Sequence, residues 1–137
     1  MKQVTAIIEK STDGLFSVYI ENNPLRYGVI GEGKTVAEAL EDFKGGYEDM
    51  RDYYKSEGKD FEEAEFSFKY DIPSFLQYYA YAFTLAGLER ITGVNQRQLS
   101  HYISGFRKPS EKTALKIEEK IKTFAKEIES VRSVSYT

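Results

Sequence analysis

The apolar positions of this chain change period along its length, and the changes outline its elements. Over residues 3–10, Val4, Ala6 and Ile8 fall on alternate positions, the period of a half-buried strand. Asp13-Gly14 is a turn signal. Phe16, Val18 and Ile20 then alternate with Ser17, Tyr19 and Glu21, which predicts a hairpin. Asn22-Asn23-Pro24 breaks that strand, and Tyr27 to Gly31 is expected to add a short third one. At Thr35 the period lengthens. Val36, Leu40, Phe43, Tyr47, Met50 and Tyr54 recur at steps of three and four, a single apolar stripe of a helix. Thr35 and Glu38 fit the T-x-x-E capping box. Gly45-Gly46 weakens the middle of this helix by roughly 1 kcal/mol per glycine relative to Ala, so a bend or a close approach of another backbone is expected. Residues 56–60 read as a loop, after which Phe66, Phe68 and Tyr70 alternate with Ser67 and Lys69 in a returning strand.

Past Asp71-Ile72-Pro73 the pattern is helical throughout. Pro73 suits the first turn of a helix, where a missing N–H costs little, and Phe75, Leu76, Tyr79 and Phe83 are its expected buried side. A helix over Leu85–Thr92 is followed by Gly93. Asn95 caps the next helix with Gln98 at its third position, and Leu99, Tyr102 and Ile103 face inward. Pro109 ends a loop, and Ser110 caps a last helix whose stripe is Ala114, Ile117, Ile121, Phe124, Ile128 and Val131. That stripe keeps heptad spacing, and its second half has little of its own domain to pack against, which favours pairing with a second copy. Val131 to Thr137 is expected to be a frayed tail. The predicted fold class is α+β: a β-β-β-α-β domain over 1–71, then an all-α domain over 72–137.

Composition narrows the chemistry. The 137 residues contain no Cys and a single His, His101, which excludes a disulfide framework and makes a zinc cluster or a His-based catalytic site a poor fit. No apolar run is long enough for a transmembrane helix, and MKQVTAIIEK does not resemble a signal peptide, so a cytoplasmic protein is expected. The net charge of −3 hides an asymmetry. Residues 1–71 carry 9 Lys/Arg against 16 Asp/Glu, a balance of −7, while residues 72–137 carry 10 against 6, a balance of +4. The front half favours a basic partner and the back half favours phosphate.

The segment Leu85–Ser110 has the pattern of a helix-turn-helix, whose second helix enters the major groove of DNA. Gly93 permits the turn, and Val94, Leu99 and Ile103 lock the second helix to the first. Gln96, Arg97, Ser100 and His101 are left on the outer face; Gln pairs with adenine, Arg with guanine, and Ser approaches a phosphate. Asn95 and Gln96 stand at the helix N-terminus, where free amides favour a phosphate. Arg107 and Lys108 follow in a loop that reaches the DNA backbone.

Three other patterns stand in the sequence. Gly28 to Thr35 satisfies the phosphate-loop pattern GxxxxGK[ST], with Lys34 as its cation. The feeding strand is short and no later strand offers a magnesium-binding Asp, so Thr35 as a helix cap and Gly31 and Gly33 as turn residues explain it better. Glu9, Glu21 and Asp13 lack the further acid or base that a metal nuclease needs. The 11 Tyr and 9 Phe fall mostly on apolar stripes, which suits cores and interfaces; Tyr78, Tyr79 and Tyr81 group on one predicted helix. No catalytic residue, metal site or cofactor is expected.

Residues 1–70 resemble the β-β-β-α-β domain of HicB-type antitoxins, in the strand pair VTAIIEK and LFSVYIE and in GKTVAEALEDF. Residues 72–130 look like the Cro/repressor-type helix-turn-helix that some of these proteins append, with TGVNQRQLSHYISGFRKPS as its signature. The resemblance implies a truncated ribonuclease-H-like fold without catalytic acids. It also implies a HicA-type, mRNA-cleaving toxin as protein partner, neutralised by occlusion, and repression of the chain's own operon through operator DNA. By position, the DNA-facing residues are then Gln96, Arg97, Ser100 and His101. The chain departs from the pattern at Leu85, where many such domains have a polar residue, at Glu89, where they have a small one, and at Pro24-Leu25. The alternative is a stand-alone transcriptional regulator whose first domain binds a small ligand or another protein.

Overall fold

A computed structural model describes residues 1–136. The chain divides into two compact units, Met1–Asp71 and Ile72–Thr137. Among the described residues the protein is α+β, with a four-stranded mixed sheet and five α-helices.

In the first unit the strands are β1 (Lys2–Lys10), β2 (Phe16–Ile20), β3 (Ile30–Gly33) and β4 (Ala64–Tyr70), with helix α1 (Val36–Ser56) between β3 and β4. The sheet order is β3-β2-β1-β4; β1 is antiparallel to β2 and parallel to β4. The hairpin turn closes through Ser11 and Leu15, with Gly14 at φ 88°. One row across the sheet joins Gly31, Val18, Ile8 and Tyr70, and the next joins Ile20, Ala6 and Phe68. These residues share the face that α1 covers. Helix α1 can lie directly on β3 because two positions there lack side chains. A Cβ on Gly31 would sit 2.4 Å from the Ala39 carbonyl oxygen, and one on Gly33 would sit 2.6 Å from the Ala39 nitrogen. Val4, Ala6, Ile8, Val18, Val36, Ala39 and Phe43 form the buried core.

The third strand, expected over Tyr27 to Gly31, is shifted to Ile30–Gly33. Leu25, Tyr27 and Val29 are buried, yet pairing begins only at Ile30. Asn23 explains the difference: its Oδ1 accepts the Leu25 N–H at 2.9 Å and its Nδ2 donates to the Tyr27 carbonyl at 2.8 Å, replacing ladder bonds with a turn. Burial here reflects packing rather than strand pairing: Tyr27 stacks on Phe61 at 4.8 Å and donates its hydroxyl proton to the Glu62 carbonyl at 2.7 Å. Thr35 caps α1 by accepting the Glu38 N–H, while the Glu38 carboxylate reaches back to the Lys34 N–H at 2.8 Å, one residue earlier than the capping box requires. Helix α1 runs unbroken through Gly45-Gly46; Gly46 faces Val29, where an added Cβ would approach within 3.2 Å.

The second unit contains α2 (Ile72–Tyr78), a 3-10 turn (Ala80–Ala82), α3 (Leu85–Thr92), α4 (Gln96–Ser104) and α5 (Glu111–Glu129). Leu76, Leu88, Val94, Leu99, Tyr102 and Ile117 form its core. Helix α2 stops before Tyr79, so the expected buried side breaks up. Leu76 is buried, Phe83 is extended backbone, and Tyr78, Tyr79 and Tyr81 straddle the 3-10 turn. On the α5 stripe only Ile117 is fully buried; Ile128 is 52% and Val131 81% exposed. Residues 131–136 have no regular structure. No helix is long and apolar enough to cross a membrane among the described residues.

Candidate nucleic-acid interface

Helices α3 and α4 and the turn between them are fixed by side chains written into the turn. Thr84 caps α3 by accepting the Gly87 N–H at 2.9 Å. The helix ends at Gly93, whose φ of 74° is the left-handed region that costs a side chain strain. Thr92, fully buried, donates its hydroxyl to the Leu88 carbonyl at 2.7 Å and accepts the Val94 N–H at 3.1 Å. Val94 then drops into the core. Asn95 caps α4 through the Gln98 N–H at 2.8 Å. At the other end of α4, the Gln77 side chain donates to the Ile103 carbonyl at 2.6 Å. The helix is therefore held at both ends while its outer face stays open.

Gln96, Arg97 and Ser100 occupy that face. All three are exposed, and none of their side chains has a hydrogen-bond partner among the described residues. Ser100 follows Gln96 by four residues and Arg97 by three, so it neighbours both on one side of the helix. The remaining candidates fare differently. Asn95 is exposed, but its side-chain oxygen is committed to the cap. Two amides at the N-terminus of α4 are already taken: Glu89, on α3, accepts the Gln96 N–H at 3.1 Å, and Asn95 accepts that of Gln98. A carboxylate at that position satisfies the helix dipole and repels a phosphate, which weighs against an anion site at the Gln96 amide. Glu89, the small-residue position of the sequence comparison, thus spans from one helix to the next.

His101 is half-buried, with its ring 5.0 Å from that of Phe106 and its carbonyl accepting the Arg107 N–H at 3.2 Å. The Arg107 guanidinium lies 5.8 Å from the Phe106 ring centre. Phe106 itself is 70% exposed. Sequence reasoning passed over Phe106; its signal is an aromatic set between Gly105 and Arg107 in an otherwise polar loop. His101, Phe106 and Arg107 therefore form one shelf beside the α4 face. Lys108 is exposed and no contact ties it to that shelf. Between α3 and α5 runs an open groove of about 500 Å³ whose lining includes Arg90, Ile91, Lys120 and Phe124.

The other patterns resolve into structure. The Gly28–Thr35 loop cannot cradle a phosphate with its amides, because Asp42 accepts the Glu32 N–H at 2.9 Å and Glu38 accepts that of Lys34. Glu9 accepts the Tyr19 hydroxyl at 2.9 Å, and Asp13 accepts the Leu15 N–H in the hairpin turn. Burial and the Glu9 carboxylate push the Tyr19 hydroxyl up to about 12. No three His, Cys, Asp or Glu residues gather as a metal would require among the described residues.

No protein family model, curated protein or solved structure matches this chain.

Proposed function

We propose that the chain is a non-enzymatic antitoxin of HicB type that binds operator DNA through a Cro/repressor-type helix-turn-helix formed by α3 and α4. The observation that carries the DNA half of this reading is the open α4 face, where Gln96, Arg97 and Ser100 project from a helix anchored at both ends. Arg97 and Gln96 have the fork and amide chemistry that reads base edges. Arg107 and Lys108 supply phosphate contacts in a segment carrying a +4 balance. The partner half rests on the acidic first unit. Its β-β-β-α-β order suits a truncated ribonuclease-H-like domain, and its charge of −7 suits a cationic, RNA-cleaving HicA-type toxin. Neutralisation is then occlusion of the toxin's RNA surface, in the cytoplasm, by a homo-oligomer that also represses its own operon. No cofactor enters this mechanism.

The test is co-expression of the full chain with the protein encoded beside it, followed by anisotropy on duplex DNA from upstream of the chain's own gene. The reading expects a stable complex and saturable DNA binding. DNA binding without a co-purifying neighbour supports the stand-alone regulator instead, and failure of both overturns the reading.

A further inference from the structure

Strand β4 lies at the edge of the sheet, paired among the described residues only to β1. Its residues divide by parity. The Glu63 carbonyl accepts the Lys2 N–H and the Asp71 N–H donates to the Ile8 carbonyl, so odd-numbered residues aim their main chain at β1. Even-numbered residues aim theirs outward. At Ala64 that outward pair is already occupied, because the Tyr47 hydroxyl contacts both the N–H at 3.0 Å and the carbonyl at 3.4 Å. The main-chain groups of Phe66 and Phe68 have no hydrogen-bond partner among the described residues. Proline or a bulge commonly protects such an edge, and β4 carries neither.

The sequence along this edge, Glu65-Phe66-Ser67-Phe68-Lys69, is complementary to its own reverse. We infer that β4 pairs antiparallel with β4 of a second copy, about a two-fold axis through Ser67, joining two first units into one continuous eight-stranded sheet. In this register Phe66 faces Phe68 of the other copy. Both have outward main chains, so the two symmetric pairs exchange four hydrogen bonds. Their rings fall on the α1 side and extend the edge-on cluster in which Phe43 meets Phe66 at 4.9 Å and Phe68 at 5.6 Å. A groove of about 280 Å³ lined by Phe43, Tyr47, Phe66 and Phe68 lies beside them to take up that contact. On the opposite sheet face, Glu65 stands across from Lys69 of the other copy, twice over. Lys69 is exposed and forms no ion pair within the chain among the described residues, and the Glu65 carboxylate accepts the side-chain amide of Gln3 on the neighbouring β1 at 3.0 Å. Neighbouring registers fit worse. Centring on Phe68 opposes Glu65 to Asp71, and centring on Phe66 requires the edge of Ala64 that Tyr47 already fills. A self-matching patch closes as a dimer, and the β4 edge of each copy is then paired. This inference does not depend on DNA or toxin binding.

The chain has no cysteine, so Ser67→Cys introduces a single thiol. Across the two-fold axis the two Cα atoms fall at about 4.5 Å, within disulfide reach. Full-length Ser67→Cys is expected to oxidise to a covalent dimer. Glu63→Cys, whose copies are separated by roughly 26 Å in the same register, is expected not to. In sedimentation equilibrium, Lys69→Glu and Glu65→Lys should each raise the dimer dissociation constant roughly tenfold by setting like charges face to face. A mixture of the two variants should form the heterodimer, and the Glu65→Lys/Lys69→Glu double variant should restore the homodimer. Absence of the Ser67→Cys crosslink, or a dimer indifferent to both charge reversals, overturns the inference. A dimer held only by α5, or an edge that captures a foreign strand instead, gives that result.

Discussion

The Glu89 carboxylate accepts the main-chain N–H of Gln96 across the α3–α4 turn, at 3.1 Å. A helix N-terminus next to a candidate DNA surface is normally free to take a phosphate; here an acid from the preceding helix stands in that place. Two opposing effects follow from removing it. Glu89→Ala leaves one orphan amide and is expected to lower stability by ~1 kcal/mol, the size of a lost helix cap, in urea denaturation. The same variant exposes the amide and removes a negative charge, so its affinity for random-sequence duplex should rise and the salt dependence of that binding should steepen. Unchanged affinity would mean that the α4 N-terminus lies away from the DNA backbone.

Gly31 tests the packing of the first unit. A methyl group there collides with the Ala39 carbonyl and with the Phe43 nitrogen at 2.6 Å, both backbone atoms of α1 that cannot turn aside. Gly31→Ala should therefore cost about 3 kcal/mol, at the upper end for overpacking, read as a lower denaturation midpoint at constant slope. Gly45→Ala on the same helix meets nothing within 4 Å and should stabilise by up to roughly 1 kcal/mol.

Tyr19 carries a pH prediction. Burial, and then its hydrogen bond to the Glu9 carboxylate, raise its hydroxyl from 10.0 to about 12. The fold thus favours the protonated form. The resulting stability is fully present below pH 10, the unfolded value, and is lost as pH rises through about 12. Alkaline denaturation of the wild type should show this loss between those limits, and Tyr19→Phe should remove that portion of it. Absorbance titration of the difference between the two proteins reads the same ionisation directly.

What the sequence made legible is local. Thr35, Asn95 and Ser110 act as caps, and Gly93 ends α3, because each of these effects is decided within four residues. The apolar alternation of β1, β2 and β4 was readable for the same reason. The errors came where a side chain replaced a partner that the pattern assumed. Asn23 took over the hydrogen bonds that would have made Tyr27 a strand residue. Glu89 took the amide that spacing left open for phosphate, and only the fold brings residues seven apart into contact. Phe106 was hidden because composition reads a Gly-Arg-Lys-Pro loop as polar. The parallel pairing of β4 with β1, and hence the free edge, joins residues about sixty positions apart and has no local signature.

The central claim is that the exposed face of α4 reads DNA, and Arg97 examines it most directly. The measurement is anisotropy of the full chain and Arg97→Ala on the chain's own promoter duplex and on a scrambled duplex, across a salt series. The account predicts salt-dependent binding by the wild type. It also predicts a loss of ~1–3 kcal/mol for Arg97→Ala on the promoter, with a much smaller loss on the scrambled sequence. No retention of either duplex at low salt, or an Arg97→Ala variant that binds the promoter as tightly as the wild type, would contradict it.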